Sequence, residues 1–229
     1  MVYSYIYKSL LLWEKNPSAR PLNLQFVSVL FGINLLFIFV LYLFENLIGM
    51  PLFQHAVQDD AEDLFKNLGL FLIFAGIFTP VVEELVFRYH LVGYDYRRTI
   101  TSFLLALPFF ILVFNQWGIG DFINLTYVIY LMMMSVLLYI NKSTLSKPLI
   151  LCSIMFFGLS HLSNFQVDEI RENFVFIPIL ILPQLVLGIF LSFLRIKFGL
   201  IYAIIYHAVY NMVLIFVAYF LYLLTGKVF

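Results

Sequence analysis

The sequence predicts an all-α fold, a polytopic membrane helix bundle of about seven transmembrane helices around an intramembrane polar cavity. Three observations predict it. Of 229 residues, 63% are hydrophobic and 11% charged, and the mean hydropathy is +1.00, whereas a soluble domain is nearer half apolar and a quarter charged. The apolar residues gather in long runs separated by short polar breaks. The basic residues, finally, fall unevenly between alternate breaks. So few charges cannot cover a globule of this size, so the main solvent is lipid. Zero formal net charge gives no sign of a nucleic-acid partner. The single cysteine, Cys152, excludes an internal disulfide and a Cys-rich metal cluster.

Along the chain, residues 1–22 read as an N-terminal interfacial segment, with Tyr3, Tyr5, Tyr7 and Trp13 at the membrane surface. Leu10–Trp13 is too short for a signal-peptide core, and no small-x-small cleavage site follows. Residues 23–229 read as a single transmembrane domain. Its apolar runs give spans at roughly 23–48, 67–92, 100–115, 122–140, 148–164, 174–195 and 198–224. The third and fifth are short enough to be tilted, re-entrant or merged, so six to eight helices stay open. Neither an internal repeat nor a separate soluble domain is evident.

With a cytoplasmic N-terminus, the inner segments hold Lys8, Lys15, Arg20, Arg97, Arg98, Lys142, Lys147, Arg195 and Lys197. The outer segments hold Lys66, Arg171 and Lys227. Such a bias is the positive-inside pattern and predicts an N-in, C-out protein of the inner (cytoplasmic) membrane. The acidic residues Asp59, Asp60, Glu62, Asp63, Asp121, Asp168, Glu169 and Glu172 fall outside and agree with it.

Three spans carry groups that a lipid-facing helix excludes. The second holds Thr79-Pro80-Val81-Val82-Glu83-Glu84-Leu85-Val86-Phe87-Arg88, the fifth Phe157-Gly158-Leu159-Ser160-His161, and the seventh His207-Ala208-Val209-Tyr210-Asn211. A charge at mid-bilayer costs at least ~2.5 kcal/mol, so such residues face the bundle interior and mark function. Glu83 and His207 lie roughly 14 Å, and His161 roughly 20 Å, from the cytoplasmic ends of their spans, depths compatible with one shared site. Glu84 and Arg88 are four residues apart, acid first, the favourable order for a structural ion pair. Glu83 is rotated about 100° from them and need not share that cation, as suits a general base. His207 and Asn211 also stand one turn apart and share a face that can donate hydrogen bonds to an oxyanion. Pro80 breaks the hydrogen-bond ladder just before the glutamates.

Glu83-Glu84-x-x-x-Arg88, Phe157-x-x-x-His161 and His207-x-x-x-Asn211, in that order, resemble the motifs of the CPBP intramembrane proteases, also called the ABI family. That family includes type II CAAX prenyl endopeptidases and bacteriocin-processing and immunity proteins. The resemblance covers about residues 70–215 and extends through the run from Leu187-Gly188 by Phe198-Gly199 to His207. It implies an all-helical protease that cuts near the cytoplasmic membrane face, with Glu83 and His161 activating water. His207 and Asn211 would then stabilise the oxyanion, and Glu84 and Arg88 would hold the set together. The expected partners are a CAAX-type tail, leader peptide, bacteriocin-like peptide or small membrane protein, together with the bilayer. The family is labelled metalloprotease. Glu83, His161 and His207 suit a three-ligand Zn2+ site with an open position, yet there is no His-Glu-x-x-His, and metal-free water activation is the preferred reading.

Other functions fit some of these residues. Mid-membrane Glu and His also serve proton-coupled transporters, although no paired halves with matched broken helices are visible. A non-proteolytic scaffold is the other alternative. Cys152, nine residues before His161, falls on the opposite helix face and reads as a packed thiol. His90 reads as interfacial, His55 as solvated beside Asp59 and Asp60, and Met132-Met133-Met134 as lipid or helix packing. Asn164 is a candidate neighbour of the site, and Asp168-Glu169-x-x-Glu172 a solvated loop face.

Overall fold

A computed structural model of the chain describes residues 24–48, 65, 67–91, 95–114, 129–130, 132–136, 139–140, 147–165, 170 and 174–225. The interfacial segment 1–22 lies outside the described residues, as do His55 and the loop charges Asp59, Asp60, Glu62, Asp63, Lys66, Asp121, Lys142, Asp168, Glu169, Arg171, Glu172 and Lys227.

Nearly all of the described residues are helical, and each of the seven predicted ranges is mainly helix where it is described. The principal helices are α1 (Leu24–Ile48), α2 (Leu68–Phe87), α3 (Tyr96–Phe114), α4 (Lys147–Ser160), α5 (Leu182–Lys197) and α6 (Leu200–Thr225). Short turns at Phe174–Phe176 and Ile177–Leu180 lead into α5. Among the described residues three helices are long and apolar enough to cross a membrane, Leu68–Phe87, Phe174–Lys197 and Leu200–Leu224, with a shorter apolar stretch at Val27–Val40.

The helices turn apolar side chains outward, and the charged groups of the spans lie inside among an apolar core. On α6, Ile201, Ile205, Val209, Phe216 and Phe220 form an exposed apolar stripe, whereas Ala203, Tyr206, His207 and Tyr210 on the other side are buried. The C-terminal half of α2 lies at the centre, packed against α3, α4 and α6, while α5 packs on α4, α6 and α1. Phe87 anchors this core, with the rings of Phe109, Tyr130 and Phe157 edge-on to it at 5.5, 5.8 and 5.7 Å. Helix α1 docks on α6 through Asn34, which is buried and donates from Nδ2 to the Tyr206 hydroxyl at 2.8 Å. Phe31 meets Tyr206 and Tyr210 edge-on beside that bond.

Glycine sets two close approaches. A Cβ at Gly158 would stand 2.6 Å from Leu185 Cδ2, and one at Gly188 would stand 3.1 Å from Phe157 Cδ1, so α4 and α5 come together at a spacing that side chains there would forbid. Gly199, with φ 112°, takes the left-handed conformation that ends α5 and starts α6. Its N–H and that of Phe198 both bond Leu194 O.

Candidate active site

The site is built on α2, and the local sequence dictates how. Thr79 N–H bonds Phe74 O, five residues back, so the turn Phe74–Phe78 is a π-helix. Pro80 has no N–H. Ala75 O therefore loses its α-helical partner, Thr79, to the π register and its π partner, residue 80, to proline. Asn211 Nδ2 of α6 fills the gap, donating to Ala75 O at 3.0 Å. The expected break at Pro80 is thus a widened turn clamped by Asn211.

The other end of the helix needs the same accounting, because its last carbonyls have no partners within the helix and lipid supplies none. Ser102 of α3 donates to Leu85 O at 2.9 Å, Tyr130 to Val86 O at 2.9 Å, and Ser153 of α4 to Phe87 O. Arg195 of α5 donates from Nε to Arg88 O at 3.0 Å and from Nη2 to Tyr89 O at 2.8 Å. Five successive carbonyls are satisfied by side chains from four parts of the chain. None of these donors stands out in the sequence, since Ser and Tyr are unremarked in apolar helices and Arg195 reads as a charge in an inner loop. Its side chain is buried instead.

Between these two supports stand the charged groups. Glu84 and Arg88, both fully buried, form the expected pair at 2.6 Å between Oε1 and Nη1. The Arg88 guanidinium also lies over the Phe157 ring, 4.1 Å from its centre, a cation–π contact. His207 bridges the two acids. Its Nδ1 stands 3.0 Å from Glu84 Oε1 and its Nε2 3.5 Å from Glu83 Oε2. Glu83 makes no ion pair with Arg88 of the kind Glu84 makes, as its rotation on the helix predicts.

His161 opens a 3₁₀ turn that follows α4. Its Nδ1 lies 2.8 Å from Phe157 O, and a carbonyl only accepts, so Nδ1 carries a proton and donates to it. The Phe157 ring links the two histidines, meeting His161 at 4.7 Å and His207 at 5.7 Å.

The structure therefore brings Glu83, Glu84, Arg88, His207 and His161 together, and it joins Asn211 to the same assembly through the backbone of α2. Cys152 is buried, as a packed thiol should be. Met134 is buried and Met132 exposed, so that run serves both packing and the lipid face. Asn164 is exposed. His90, read from the sequence as interfacial, is fully buried in the protein, with Nδ1 3.3 Å from Ser102 Oγ.

Among the described residues no three His, Cys, Asp or Glu side chains converge as metal ligands, Glu83, His161 and His207 included. One nitrogen of His161 is engaged by Phe157 O and one of His207 by Glu84.

No curated protein and no solved structure matches the chain. The family model for type II CAAX prenyl endopeptidases, Rce1-like, matches residues 65–213. That range is well over half of the chain and holds every site residue above. The chain belongs to the Rce1-like type II CAAX prenyl endopeptidase family, a family of membrane proteases.

Proposed function

We propose that the chain is an intramembrane endopeptidase that hydrolyses a peptide bond near the cytoplasmic membrane face, with seven crossings and a cytoplasmic N-terminus. The observation that carries this reading is His207 held between two buried carboxylates, one neutralised by Arg88 and one not. Glu84 and Arg88 fix the His207 ring, as the third member of a catalytic triad fixes its base. Glu83 is left to take a proton.

In the proposed reaction, water lies between Glu83 and His161 Nε2. Glu83 removes a proton as the water oxygen bonds to the peptide carbonyl carbon, and the carbonyl π pair moves to its oxygen. That oxyanion receives hydrogen bonds from His207 Nε2, when it carries a proton, and from the Asn211 N–H that does not bond Ala75 O. When the C–N bond breaks, the proton on Glu83 passes to the departing nitrogen, leaving a carboxylic acid and an amine. No step uses a metal. The family supports a CAAX-type tail as substrate, while a leader or bacteriocin-like peptide is the alternative.

The test is cleavage of quenched peptides, a prenylated CAAX peptide among them, by detergent-purified protein. Glu83→Ala and His161→Ala should each abolish turnover while still inserting, and a metal chelator should leave wild-type turnover unchanged. Retained cleavage by Glu83→Ala would overturn the assignment, and loss of cleavage in chelator, restored by Zn2+, would replace metal-free activation.

A further inference from the structure

Outside the residues already assigned, α5 carries a polar group with no evident use. Gln184 has its Oε1 buried, with no hydrogen-bond partner among the described residues. A buried acceptor left unpaired costs free energy comparable to a lost hydrogen bond, so its presence on a membrane helix asks for a ligand.

Its place in the fold names one. Residues 184, 188 and 195 are separated by four and seven positions, so they share one stripe of α5. Gly188 on that stripe faces Arg88, whose Nη2 would lie 3.5 Å from a Cβ there. Arg195, on the same stripe, bonds the carbonyls of Arg88 and Tyr89. The stripe therefore faces Phe157 and Ile154 of α4 together with the Arg88 end of α2. Register with α4 sets the depth. Gly158 meets Leu185 and Ile181, and Gly188 meets Phe157 and Ile154, so the two helices run antiparallel and Gln184 lies level with the stretch from Gly158 to His161. A helical side chain leans toward the N-terminus of its helix. On α5 that carries the amide away from Arg88 and toward the level of His161.

We propose that Gln184 binds the backbone of the peptide substrate, its Oε1 accepting a peptide N–H beside the bond to be cut. A carboxamide suits an extended peptide because it offers an acceptor and two donors in one plane. The inference rests on the protease reading.

The experiment compares wild type with Gln184→Leu, which removes the polar group at similar volume, using a fluorescent prenylated peptide ending in a CAAX sequence. The expected result is a KM raised about 5–10-fold, with kcat within about twofold and a melting temperature unchanged or higher. The same peptide should bind the non-cleaving Glu83→Ala protein more tightly than the Glu83→Ala/Gln184→Leu protein by the same factor. An unchanged KM and unchanged binding would overturn the proposal, as would a lower melting temperature with lower kcat, which marks a structural role. If wild type cleaves no peptide, the protease reading fails by itself, and the binding comparison between Glu83→Ala and Glu83→Ala/Gln184→Leu still decides whether Gln184 touches the peptide.

Discussion

Arg88→Met tests the electrostatic support of the site most directly. The substitution keeps a long apolar stem against Phe157 but removes the cation that lies 2.6 Å from Glu84 and 4.1 Å from the ring centre. Both partners are fully buried, so no solvent screens what is left: a carboxylate inside the bundle with His207 Nδ1 3.0 Å from it. Removing one member of a buried pair costs about 3–5 kcal/mol. At about 2–4 °C per kcal/mol for a chain of this size, the melting temperature should fall by about 6–20 °C. Glu84→Gln in the same chain removes the orphaned charge and should restore most of that loss, because a buried pair replaced on both sides is often nearly neutral. Turnover should stay low in the double variant, since a neutral amide no longer holds His207 as the carboxylate does. The assay is thermal unfolding in one detergent for wild type, both single variants and the double variant, read as a double-mutant cycle. A single variant Arg88→Met that melts within about 2 °C of wild type, or a double variant no better than the single, would refute the buried-pair argument.

The two backbone supports give further outcomes. Tyr130→Phe keeps the ring against Phe87 and Phe156 but deletes the donor to Val86 O. Its cost should be about 1–3 kcal/mol, read as a lower melting temperature together with reduced turnover. Asn211→Ala frees Ala75 O and should cost a similar amount, so stability and turnover fall together. An Asn211→Ala protein of normal stability but no turnover would confine Asn211 to the reaction and remove its role as a clamp.

What was legible in the sequence is what local spacing fixes. Glu84 and Arg88 meet because residues four apart on a helix are neighbours, and Glu83 stays out of that pair because it is rotated about 100° from it around the helix. The rarity of polar groups in apolar runs also sufficed to pick out His161 and His207. It did not show that His207 bonds a residue 123 positions away, or that Phe157 lies between the two histidines. Those contacts depend on how α2, α4 and α6 pack. Ser102, Tyr130, Ser153 and Arg195 were invisible for a different reason. Each is ordinary in composition, and only the end of α2 arriving beside it gives it a task. Pro80 signalled a break, but the π turn and its Asn211 partner need α6 in place.

The same geometry explains why a membrane protein would devote so many polar side chains to one short helix. Thr79–Phe87 ends inside the bundle, where exposed carbonyls have no water to meet. Left alone, that end would unwind, and Glu83 and Glu84 would move with it. Ser102, Tyr130, Ser153 and Arg195 prevent this from below, and Asn211 fixes the widened turn above. The negative end of the helix dipole also meets two cations, Arg88 and Arg195, the signs that stabilise it. A reaction that depends on dipoles fixed before the substrate arrives needs its acids held in this way. The supports come from α3, α4, α5, α6 and the helical segment around Tyr130, so losing the packing of any one of them should loosen the acids as well as the fold.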